Sequence, residues 1–172
     1  MLFVGAAIEF RHSWLLPAIW IFLAGILALA LIDVEHLRLP TRVVWIHLAL
    51  VATALLIPSI ATNTWHNWIV AFCCIGFWSG SFLVIHLVSP EKLGFGDVRF
   101  SIVLALMLGS FGAGTALLGF FLSSLVGLIV SIVLIATGKI GRDQPIPFGV
   151  YLAAGSALAL ALAPLVPSRY HF

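Results

Sequence analysis

Charge is what this sequence has least of. Only 8% of its 172 residues are Asp, Glu, Lys or Arg, where a soluble domain carries about a quarter. With 63% hydrophobic residues and a mean hydropathy of +1.22, a soluble globular fold is excluded and an integral membrane protein is implied. The length suits one domain, and nearly all of it is apolar, so residues 1–172 are expected to form a single transmembrane domain with no separate soluble catalytic unit. A net charge of only +2 gives no electrostatic basis for binding nucleic acid. Cysteine is almost absent too. Cys73 and Cys74 are adjacent in an apolar run, which offers neither a zinc site nor a disulfide framework. The N-terminus has no basic region ahead of its short apolar stretch, so a cleaved signal peptide is not expected.

The few charges divide the chain. Uninterrupted runs cover residues 13–32, 43–90, 100–138 and 144–168, or 20, 48, 39 and 25 residues. A bilayer core of about 30 Å takes about 20 helical residues to cross, so the runs predict one, two, two and one spans. The expected fold is all-α, a polytopic six-helix transmembrane bundle, because a lipid-exposed strand edge would leave backbone groups unpaired. Polar residues from Pro58 to Asn67 predict a turn between spans Val43–Ile57 and Trp68–Val88, and the glycines of 109–114 predict another. Both are expected to close helical hairpins. Ser123, Ser124, Gly127, Ala153, Ala154 and Ala157 are small enough to let the last helices approach closely. With six spans, Arg38, Arg42, Lys92, Arg99, Lys139 and Arg142 share one side, while Arg11 and Arg169 share the other. The positive-inside rule assigns the six to the cytoplasm. Trp14, Trp65, Trp68 and Tyr170 fit an outer aromatic belt, and Trp45 an inner one.

On this topology Asp33 closes the first span and Asp97, in Gly94-Phe95-Gly96-Asp97, opens the fourth, both at the cytoplasmic edge. Carboxylates at bilayer depth are costly and usually functional. A pair sharing a proton can activate water, one as base and one as acid, with no nucleophilic side chain, metal or cofactor. That is the chemistry of an aspartic protease. Each aspartate also has a plainer reading: Asp97 as a helix cap, and Asp33 in an interfacial salt bridge with Arg38 or Arg42. Helix dipoles alone would make Asp97 the ionised member and Asp33 the proton carrier. Glu35, Glu91 and His36 are expected to be solvated, and His12, His47, His66 and His171 show no ligand spacing. His86 and Ser89 lack a placed acid to complete a triad. Two other classes compete: a small transporter using the aspartates as proton or ion relays, and a catalytically silent assembly subunit. Against transport, the helix centres contain almost no polar residues to continue a path.

Three fragments together resemble the type IV prepilin peptidases, a GxGD family of membrane aspartic proteases. Ile32-Asp33-Val34-Glu35-His36-Leu37-Arg38-Leu39-Pro40-Thr41-Arg42 looks like the first aspartate motif, with Pro40 as its proline. Gly94-Phe95-Gly96-Asp97-Val98-Arg99 looks like the second, with Arg99 where lysine is usual, a change that alters geometry while keeping charge. Ile146-Pro147-Phe148-Gly149 is similar to the fragment opening that family's last helix. The resemblance implies a single transmembrane peptidase domain with Asp33 and Asp97 catalytic and Gly94, Gly96, Pro40 and Arg99 in support. It implies no metal or cofactor and a prepilin-like substrate helix lying in the lipid bilayer beside the enzyme. The leader would be removed at the cytoplasmic face of a bacterial or archaeal plasma membrane. Many members carry an N-terminal cysteine-paired region associated with methylation. This chain resembles the short, peptidase-only form associated with Flp or Tad-type pili.

Overall fold

The computed structural model describes residues 15–36, 39–90, 93–137 and 147–163. Among them run six helices and no strand: α1 Leu16–His36, α2 Thr41–Thr62, α3 Trp65–Val88, α4 Phe95–Ser110, α5 Ala113–Ala136 and α6 Phe148–Leu162. Four of these, α1, α2, α3 and α5, are long and apolar enough to cross a membrane. The chain is a multi-pass helical membrane bundle. At 16 and 15 residues, α4 and α6 are only about 24 and 22 Å long, short of the roughly 30 Å core. They are the enclosed members. Most of α4 is buried from Asp97 to Ser110, and most of α6 from Gly149 to Leu160.

α4 packs against α2, α3, α5 and α6, while α1 lies against α2 and α6. Lipid is as apolar as these side chains, so close backbone approach has to supply what a hydrophobic core supplies in water. The α5–α6 contact shows this. A Cβ at Gly155 would fall 2.3 Å from the Ser123 nitrogen, and the Ser123 hydroxyl donates to the Leu152 carbonyl at 3.2 Å. Ser123 and Gly127 lie in this contact; Ala153 and Ala157 are buried, while Ser124 is half-buried and Ala154 exposed.

The turn expected from Pro58 to Asn67 is far shorter. Helix α2 continues through Pro58 to Thr62, and α3 begins at Trp65. The polar side chains are accommodated on helix: Ser59 and Thr62 donate to the Leu55 and Pro58 carbonyls, both at 2.8 Å. Asn63, at φ 54°, ends the helix in the left-handed region that asparagine tolerates. Trp68 Nε1 donates to Ser59 Oγ at 2.7 Å across the turn. Beyond that tie the expected hairpin does not form, since α2 turns to α1 and α4 while α3 turns to α4 and α5. The second reversal falls where expected, at Gly112, whose φ of 122° suits glycine.

Alternating helices bring six termini to one end: the C-terminal ends of α1, α3 and α5 and the N-terminal ends of α2, α4 and α6. Both aspartates and the exposed Arg42 are found there. Arg11, Arg38, Lys92, Lys139, Arg142, Arg169, Trp14, Tyr170, Glu91 and Ile146 lie outside the described residues.

Candidate active site

Asp33 sits in the last turn of α1, 4% exposed. Its Oδ2 accepts a hydrogen bond from the Gly149 backbone N–H at 2.8 Å. The first N–H groups of any helix lack intrahelical partners, and Pro147, at the N-cap of α6, makes no side-chain cap. Asp33 therefore caps α6 from another helix. The unfavourable dipole end of α1 is offset by the favourable N-terminus of α6, which attracts an anion. Of the two candidate ion-pair partners of Asp33, Arg42 is exposed in the first turn of α2 and Arg38 lies outside the described residues.

Asp97 occupies the first turn of α4, ahead of the apolar run 100–138 and outside the four long spans. Its N–H donates to the Gly94 carbonyl at 3.0 Å. It is 8% exposed. Burial first, and the charge of Asp33 second, push its pKa up to about 7, against a hydrogen bond from the Gly94 backbone that acts the other way. The two carboxyls are thus within electrostatic reach of each other. The Tyr151 phenol, on α6, is also within reach of the Asp33 charge.

The glycines of the motifs are small because the site is crowded. A Cβ at Gly96 would meet Leu39 Cβ at 3.0 Å, and one at Gly149 would meet Asp33 Oδ2 at 2.8 Å and Leu39 Cδ1 at 3.3 Å. Leu39, buried, is therefore wedged between the second and third motifs. Pro40 follows it as the N-cap of α2, its carbonyl accepting from the Val43 and Val44 N–H groups. Gly94 is the N-cap of α4. Arg99 reaches from α4 to donate to Thr41 Oγ1, and its guanidinium lies 4.3 Å from the centroid of the Phe95 ring. All six residues singled out by sequence thus lie at this end of the bundle. Sequence reasoning missed the contact of Leu39 and the donor role of the Gly149 N–H. A side-chain pattern carries no trace of a backbone donor. His36 and Glu35 are exposed, as expected, while His47 is buried in α2 against Gly25 of α1.

Fold and site together define a multi-pass membrane protein with two enclosed, electrostatically coupled carboxyls at one end of a helical bundle. Residues 20–132, which include both aspartates, match the type IV leader peptidase family. The chain belongs to that family. It is 31% identical over 167 residues to the prepilin leader peptidase/N-methyltransferase of Stutzerimonas stutzeri, covering 94% of this chain and 55% of that protein. The prepilin leader peptidase/N-methyltransferase of Bacillus subtilis is 30% identical over 171 residues, covering 98% of this chain and 65% of that protein. The Pseudomonas aeruginosa protein of the same name is 30% identical over 165 residues. The chain spans between 55% and 65% of the length of these relatives. No solved structure matches it.

Proposed function

We propose that this chain is a membrane aspartic endopeptidase that removes the leader of prepilin-like precursors, with Asp33 and Asp97 as the reacting pair. The observation that carries the reading is the coupling of two enclosed carboxyls at one bundle end. Capping α6 accounts for Asp33 alone; a second buried acid within reach of its charge adds a cost that capping does not offset. The names of the relatives support a leader peptide as substrate. The bias of the basic residues supports the cytoplasmic face, and the prepilin context a bacterial or archaeal plasma membrane.

At rest we assign the proton to Asp97 and the charge to Asp33. This reverses the assignment that each aspartate's own helix dipole suggests, because the N-terminus of α6 donates to Asp33 while Asp97 is pushed up to about 7. In hydrolysis, ionised Asp33 takes a proton from water as its oxygen bonds to the scissile carbonyl carbon. Asp97 gives its proton to the carbonyl oxygen, which forms a gem-diol. Collapse of the diol breaks the C–N bond; Asp33 protonates the departing amine, and a diol hydroxyl returns its proton to Asp97. Both carboxyls end as they began.

The test is co-expression of wild type, Asp33→Asn and Asp97→Asn with candidate prepilins, scored by leader removal. Each substitution should slow processing by about 10²–10⁴-fold, the usual worth of a general acid or base, with membrane insertion retained. Undiminished processing in either variant would overturn the dyad. Proton flux through the wild type in liposomes without cleavage would favour a transporter.

A further inference from the structure

His86 lies in the last turn of α3, half-buried, with Nδ1 2.8 Å from the Leu93 carbonyl oxygen. A carbonyl oxygen only accepts, so Nδ1 carries the hydrogen and donates. Leu93 is itself buried in the core. The same peptide group leads into Gly94, whose carbonyl accepts from the Asp97 N–H at 3.0 Å and against which the Asp97 carboxyl lies, since a Cβ at Gly94 would stand 3.3 Å from Asp97 Oδ2. The Leu93–Gly94 peptide therefore sits between His86 and Asp97. A hydrogen bond that holds one side of a tight turn limits the directions open to the other. Gly94, at the N-cap of α4, makes no side-chain cap that would steady this turn locally.

A second line of contacts runs alongside. The His86 ring sits 5.3 Å from that of Phe95, Arg99 covers Phe95 at 4.3 Å, and Arg99 donates to Thr41 at the start of α2. Phe95 and Arg99 are four residues apart and share one face of α4, while Asp97 between them is turned inward.

We propose that His86 is a positioning residue for hydrolysis: through the Leu93–Gly94 peptide it holds the turn that aims Asp97. The inference rests on the reading of Asp97 as a reacting carboxyl. It assigns a part to a histidine that lies outside the three motifs.

Two substitutions separate the hydrogen bond from the ring contact. His86→Phe keeps an aromatic ring on Phe95 and removes the donor; His86→Asn removes the ring and keeps an N–H near the Nδ1 position. In liposomes containing the full chain and a prepilin-like peptide, H86F should lower kcat about tenfold with KM unchanged. H86N should recover to within about threefold of wild type. Wild-type kcat in H86F, a loss confined to KM, or H86N no faster than H86F would each overturn the proposal. If H86F fails to insert, H86N against His86→Leu gives the same comparison, with H86N expected to be the faster. Asp97→Asn in the same assay separates the two levels. If D97N cleaves normally, the dyad reading falls and this inference with it; if D97N is inactive and H86F normal, this inference alone falls.

Discussion

At the scale of single residues, the site is defined as much by missing atoms as by the carboxyls. Gly149 has to lack a side chain, because a Cβ there would stand 2.8 Å from Asp33 Oδ2, closer than carbon and oxygen tolerate without displacement. Gly149→Ala should therefore push the Asp33 carboxyl out of line and lower kcat by about 10²-fold, the usual result of an ångström-scale misplacement. Gly76→Ala, where nothing lies within 4 Å of the added atom, should leave kcat unchanged in the same assay. The two variants add the same methyl group. Only its surroundings differ, so equal behaviour would show that the crowding at Gly149 has no bearing on the reaction.

At the scale of helices, periodicity of apolar residues says little, since the same residues face lipid and neighbour alike. Length between charges was informative instead. It placed α1, α2, α3 and α5, and the glycines placed the reversal at Gly112. The polar stretch from Pro58 to Asn67 does hold the reversal, at Asn63 and Thr64, but overstates its length, because the Ser59 and Thr62 hydroxyls bond back to carbonyls of their own helix. The divergence of α2 from α3 was not legible at all; it depends on which partners each helix finds, and that is a property of the assembled bundle. Asp33 and Asp97 could be read because charge in an apolar run is conspicuous. The cap that Asp33 provides for α6 could not, since it joins residues 116 positions apart. Helix pairing is testable through Gly155, where a Cβ would overlap the Ser123 backbone at 2.3 Å. Gly155→Ala should separate α5 from α6 and destabilise the bundle by about 1–3 kcal/mol, read as a lower melting temperature in detergent.

At the scale of the whole molecule, the shifted carboxyl links stability to pH. Asp97 has an ordinary value of 3.8 and is pushed up to about 7 in the folded chain, so between these values the folded state holds a proton that the unfolded state has released. Stability is fully present below the lower value and falls as pH rises toward about 7. The melting temperature of the wild type should decline across this window, and Asp97→Asn should flatten the decline. An unchanged slope in D97N would assign the proton elsewhere.

The enclosure of the aspartates, 4% and 8% exposed, has a kinetic corollary. Water is small enough to slip between such groups, but a polypeptide is not. On the proposed function, turnover waits on a motion of the bundle that admits the scissile bond to these two groups.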